Sequence, residues 1–166
     1  MRTLRKVEPE RYFAANDLSE SLVVRIAYLT QRKEFELIIS FARTPEFVRY
    51  LETQVKPTET PELDFRRLIF SDVSEICVSD GQVKMPSELL NYSAKDDRSI
   101  LLQDCRIQVH DEPKVSLYFG TYGTFFFSFG SLRVDRKLAR ALMAGEGYVY
   151  CDADTGEEID FYDPFE

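Results

Sequence analysis

Few residues in this chain combine useful chemistry with a suggestive setting. His110 is the single histidine, and Asp111 and Glu112 follow it. Imidazole titrates near neutrality, so a small-ligand or hydrolytic site would be sought in a pocket around these three residues. The cysteines Cys77, Cys105 and Cys151 are 28 and 46 residues apart and contain no Cys-x-x-Cys pair, which argues against a zinc knuckle or a disulfide framework. Cys105 stands five residues before His110. In a strand an odd separation sends two side chains to opposite faces, so these two cannot form a thiol–imidazole dyad. Each cysteine lies in an apolar or alternating stretch, and all three are expected to be small buried thiols.

Asp152-Ala153-Asp154-Thr155-Gly156 starts like a calcium loop but places glycine fifth, where an EF-hand needs an oxygen ligand. Acids also crowd it on both sides, unlike the apolar cleft in which two protease aspartates share a proton. A hairpin turn with glycine at positive φ is the expectation, because Asp, Thr and Gly each favour turns. From Tyr118 to Phe129 the aromatics Tyr118, Phe119, Tyr122, Phe125, Phe126, Phe127 and Phe129 cluster, with no Lys or Arg between Lys114 and Arg133. A base-stacking platform interleaves such rings with cations, so core packing is expected here. Neither a Gly-rich phosphate loop nor a Gly-x-Ser-x-Gly turn occurs. No catalytic, metal-binding or cofactor-binding residue is therefore singled out, and no cofactor is expected.

Charge is distributed unevenly. The 166 residues carry 29 acidic and 21 basic groups, a net charge of −8. Glu146, Asp152, Asp154, Glu157, Glu158, Asp160, Asp163 and Glu166 lie within residues 145–166, where no Lys or Arg occurs. Removing those eight from 29 leaves 21 acids against 21 bases, so the rest of the chain is neutral. Nucleic-acid binding needs cations gathered on one surface, and the acidic segment would repel a polyanion, so a nucleic-acid partner is not expected. A basic protein surface is the partner that such a field would attract. Arg25 breaks the apolar run from Leu22 to Leu29, and nothing approaches the roughly 18 residues of a spanning helix. No apolar stretch follows the basic Met1–Lys6 as in a signal peptide; no membrane association and a cytoplasmic location are expected.

The elements that must position these residues follow from periodicity. Pro9 near a helix start predicts a short helix ending at Asn16-Asp17. Alternation over residues 22–29 and 35–41 predicts two antiparallel strands joined by Gln31-Arg32-Lys33. Thr44-Pro45-Glu46 opens an amphipathic helix through Val55, followed by a loop over residues 56–64. Strands are expected over 65–70 and 73–78 with a break at Ser71-Asp72, a helical turn over 85–92, and a strand with one wet face over 100–109. Gly120-Thr121-Tyr122-Gly123 predicts a hairpin between 115–119 and 124–129, and three consecutive phenylalanines imply that its second strand is covered on both faces. Val134, Leu138, Ala141 and Leu142 fit one face of a helix over 134–143, opposite Arg133, Arg136, Lys137 and Arg140, with Gly145 as its stop. A last hairpin joins 148–151 to 159–162.

The chain is accordingly read as one domain over residues 1–166 with an acidic C-terminal hairpin and tail at 145–166. Its expected class is α+β: mainly antiparallel β, as a curved sheet or sandwich of about six to eight strands, with two or three short helices. The expected function is that of a non-enzymatic interaction module, of the immunity or inhibitor kind, engaging a basic protein through Glu157, Glu158, Asp160 and Asp163. The alternatives are an enzyme with a pocket near His110 and a homo-oligomeric structural protein joined through strand edges.

Overall fold

A computed structural model describes residues 4–41, 62–79, 90–96, 100–109, 111–145 and 147–166. In chain order the elements are β1 (Arg5–Val7), α1 (Pro9–Ala15), β2 (Ser21–Leu29), β3 (Glu34–Ser40), β4 (Glu62–Ser71), β5 (Ser74–Ser79), β6 (Asn91–Ser93), β7 (Leu101–Leu102), β8 (Asp104–Val109), β9 (Pro113–Tyr118), β10 (Thr124–Ser128), β11 (Ser131–Ala144), β12 (Gly147–Asp152) and β13 (Glu158–Ile159). A curled larger sheet runs β13-β12-β11-β4-β3-β2-β6, with β1 also on β11 and β7 on β2. A smaller sheet runs β5-β10-β9-β8. Every pairing of strands is antiparallel.

The sheets face each other across a core rich in phenylalanine. Phe35, Leu37 and Ile39 of β3 and Leu68 and Phe70 of β4 meet Leu117, Phe125, Phe127 and Phe129 from the β9–β10 arm. The Phe35 and Phe127 rings lie 4.8 Å apart, and Phe70 meets Phe127 and Phe129 edge-on at 5.3 and 5.0 Å. Such edge contacts add to the gain from burying the rings. Between Ser71 and Ser74 the chain crosses from the larger sheet to the smaller, and between Ser128 and Ser131 it crosses back. Asp72 takes a φ of 53° at the first crossing, while the Gly130 N–H donates to the Ser71 carbonyl at 2.8 Å at the second. A Cβ on Gly130 would sit 2.8 Å from Asp72 Oδ2 and 3.0 Å from Asp72 Cβ, so a side chain at residue 130 would have to displace that of Asp72.

The outer face of the larger sheet carries a second apolar cluster of Leu22, Val24, Ile38, Leu63, Phe65 and Ala139. Phe161, buried with them, comes from the residues after β13, which cross this face as a strap.

Several expectations are corrected. The helix over 134–143 is instead part of the fourteen-residue strand β11, paired with β4 from Ser131 to Arg140 and with β12 from Ala139 to Ala144. Residues 134, 138 and 142 are four apart, which satisfies a period of two as well as a helix; strand partners on both sides override the helix-favouring Leu, Ala and Arg. Its buried set passes from Leu132 and Val134 to Ala139 and Ala141 as cover moves from the inner face to the outer. Among the described residues there is one α-helix, α1, rather than two or three, and the larger sheet alone has nine strands rather than six to eight. The helix expected over 44–55 lies outside the described residues, as does most of the turn over 85–92, whose described end is strand β6. The 100–109 run is two strands in different sheets, β7 and β8, because the chain crosses at Gln103. The phenylalanine strand is not covered on both faces: Phe125 and Phe127 are buried, whereas Phe126 is exposed on the outside of the smaller sheet. Cys77 is exposed rather than buried, and Cys105 and Cys151 are half-buried; all three are free thiols.

Replacing Phe127 with Ala is expected to cost about 3–5 kcal/mol in urea unfolding. Gly130→Ala is expected to cost about 1–3 kcal/mol, because the new methyl must displace the Asp72 side chain. A Gly130→Ala midpoint equal to that of the wild type would refute this account of the crossings.

Candidate functional site

The acidic segment is built into the fold. At its start, Asp152 Oδ1 accepts from the Asp154 N–H at 2.8 Å, the Gly156 N–H donates to the Asp152 carbonyl at 2.8 Å, and Gly156 takes a φ of 74°. Residues 152–156 thus form the expected hairpin turn. Its first carboxylate is engaged by backbone N–H groups, a local solution characteristic of Asp in turns. The chain leaves β13 at Asp160, whose Oδ1 accepts from the Tyr162 N–H at 3.0 Å, and turns over the outer face. There Phe161 meets the Phe65 ring at 5.3 Å, Pro164 is buried, and Lys137 both donates to the Pro164 carbonyl and lies 5.6 Å from the Phe165 ring centre.

Of the four acids singled out from the sequence, Glu157, Glu158 and Asp160 are exposed, while Asp163 is half-buried against the body of the protein. Its Oδ1 lies 4.0 Å from Arg25 Nη1, which makes a weak ion pair because Arg25 also serves Glu36 at 3.6 Å. Burial, and then the Glu166 carboxylate, push the Asp163 carboxyl above its ordinary range; Asp160 and Glu36 add to this and Arg25 opposes it. Three of the four are therefore exposed, and the fourth is turned toward Arg25.

A feature that sequence reasoning missed lies on the inner face, where the cover of the smaller sheet ends. Along β4 and β11 the inward positions pass from Phe70–Leu132 and Leu68–Val134 to the cross-strand pair Arg66–Arg136. Two like charges face to face are unfavourable, and Asp64 joins them. Arg66 donates from Nε to Asp64 Oδ1 at 2.9 Å and from Nη2 to Oδ2 at 3.2 Å. Arg136 donates from Nε to Oδ1 at 3.2 Å and from Nη2 to Oδ2 at 2.9 Å. Arg66 Nη1 also reaches Tyr12 Oη at 3.2 Å and Asn16 Oδ1 at 3.0 Å, and its guanidinium carbon lies 5.0 Å from the Phe41 ring centre. Burial raises the Asp64 pKa, but the hydrogen bonds from Arg66 and Arg136 more than offset this and leave the carboxyl below its ordinary range. Arg66, Arg136, Tyr12 and Asn16 border a cleft of about 580 Å³ that also includes Arg5, Asp135 and Asp154. With Asp64 counted, three acids face three cations, and Asp64, Tyr12 and Asn16 take four of the five N–H donors of the inner guanidinium, so the arrangement acts as a structural lock. The available sequence signal was charge at inward positions of otherwise apolar alternation: Asp64 and Arg66 before Leu68 and Phe70, and Arg136 after Leu132 and Val134.

His110 lies outside the described residues; its neighbours Asp111 and Glu112 are exposed and line neither this cleft nor the two smaller ones under the strap and beside β13. The Cys105 thiol is pushed up to about 12 by burial and then by Asp104, which leaves it protonated and unreactive at neutral pH. Among the described residues no group of three or more His, Cys, Asp or Glu is arranged to hold a metal ion, and no helix is long and apolar enough to cross a membrane. Comparison of the chain with family models, with curated proteins and with solved structures finds no match.

Asp64 and Asp163 are expected to respond to pH in opposite senses. The pKa of Asp64 is depressed in the folded state, so its contribution is fully present above the ordinary value of 3.8 and is lost as pH falls through the lower folded value. Asp64→Ala is expected to cost about 2–3 kcal/mol at pH 7, and less in acid. The pKa of Asp163 is raised, so its ionisation works against folding as pH rises. Asp163→Asn is expected to raise the urea midpoint at pH 7 and to change it little at pH 2. Melts of both variants at the two pH values check these signs.

Proposed function

We propose that this protein is a non-enzymatic interaction module whose C-terminal edge engages a basic surface on a protein partner. The supporting observation is that Glu157, Glu158 and Asp160 project from a segment held by its own aromatic residues. The burial of Phe161 and Pro164 fixes the chain, so these carboxylates are displayed in set positions rather than on a free tail. Pre-set charges raise the rate of encounter with an opposite field and lose that effect as salt screens them. Asp163, half-buried and turned toward Arg25, is not among the displayed carboxylates.

The test is association with a lysine-rich peptide, followed by stopped flow at low and at physiological ionic strength. Glu157→Lys and Glu158→Lys combined with Asp160→Asn are expected to abolish binding at low salt while leaving the urea midpoint nearly unchanged, because all three are exposed and Asn keeps the oxygen that accepts from the Tyr162 N–H. Equal association rates for wild type and variant would overturn the reading.

Self-association through a strand edge is the second reading, favoured by Leu142 and Met143, which are 46% and 65% exposed near the end of the β11–β12 hairpin. Sedimentation of the wild type and of Leu142→Ser with Met143→Ser separates the two, since only an oligomer joined there would dissociate.

A further inference from the structure

Beside β13 lies an open groove of about 480 Å³, lined by Tyr150, Glu158, Ile159, Asp160, Phe161 and Tyr162. Its floor is aromatic. The Phe161 ring sits 5.4 Å from that of Tyr150, tilted by 47°, and 5.4 Å from that of Tyr162, which it meets edge-on at 85°. Phe161 is buried and anchors the group, whereas Tyr162 is 41% exposed. The two charged residues of the lining, Glu158 and Asp160, are both acidic, and no Lys or Arg contributes to it.

We propose that this groove receives a lysine or arginine side chain of a basic protein partner. The proposal rests on the acidic-edge reading above and names the contact that would give that edge its selectivity. Aromatic faces carry partial negative charge and attract a cation, while rim carboxylates accept its N–H donors; the aliphatic stem of Lys or Arg suits the apolar floor. An anion would be repelled by Glu158 and Asp160, and a purely apolar group would desolvate them without return. Strand β13 covers β12 only at Tyr150 and Cys151, so among the described residues the outer edge of β12 from Gly147 to Val149 carries no strand. A peptide running along that edge would gain main-chain hydrogen bonds while delivering a side chain to the adjoining groove.

The probe is a capped hexapeptide of alternating arginine and alanine, titrated into the full chain while the ring resonances of Tyr150 and Tyr162 are followed by NMR. The expected result is saturable movement of both rings, with Tyr162→Leu weakening binding about two- to fivefold and Tyr162→Phe leaving it unchanged. Leu keeps the apolar contact on Phe161, so loss of the strap is not the cause of the effect; an unchanged urea midpoint verifies this. If Glu157→Lys and Glu158→Lys with Asp160→Asn abolish binding but Tyr162→Leu does not weaken it, the groove assignment is overturned and the acidic-edge reading stands. If the wild type shows no salt-dependent binding of the peptide, both are overturned.

Discussion

The packing of phenylalanines between the two sheets is the constraint on which the rest of this structure depends. Phe35 and Phe70 from the larger sheet and Phe125, Phe127 and Phe129 from the β9–β10 arm are fully buried against one another. The smaller sheet, of four short strands, has too little surface of its own to hold together; it exists because its inward positions close on that cluster. The chain must therefore change sheets quickly, with little to spare at each crossing. Positive φ at Asp72 and the absence of a side chain at Gly130 are local concessions to that requirement.

Polar structure appears where the cover ends. The inner apolar cluster ends at Leu68 and Val134, and an apolar row beyond them would be exposed. Arg66 and Arg136 occupy that boundary, and Asp64 bridges them, with Tyr12 and Asn16 from the end of α1 accepting from Nη1 of Arg66. The cleft these residues border is thus a hydrogen-bonded seam, and its volume says less about ligands than its internal pairing does.

The outer face poses the opposite problem. Leu22, Val24, Ile38, Leu63 and Phe65 would be a wet apolar patch if nothing crossed them. The strap solves this with Phe161 and Pro164, and in doing so gives the acidic segment a fixed geometry. Cover and charge display are two consequences of one element: the side chains of alternate sign in hydropathy, Ile159, Phe161 and Phe165 against Glu158, Asp160 and Asp163, divide between the sheet and the solvent. Only Asp163 departs from that division, because the strap has by then passed over Arg25.

By itself the sequence determined the elements whose periodicity has one solution. Alternation in β2 and β3, the Gly120–Gly123 hairpin with Phe125 and Phe127 inside, the short helix behind Pro9, the Asp152–Gly156 turn and the concentration of acid after Gly145 were all legible, since each rests on neighbours in the chain. Tertiary structure decided the rest. Val134, Leu138 and Leu142 satisfy helix and strand alike, and pairing with β4 and β12 selected the strand. One continuous alternation from Ile100 to Val109 became two strands in different sheets, because periodicity says which face a residue takes but not which sheet. Spacing of two puts Asp64 and Arg66 on one face of a strand, but their meeting with Arg136, like that of residues 150, 158 and 162 in the groove beside β13, depends on cross-strand register and the path of the strap, which spacing along the chain does not encode.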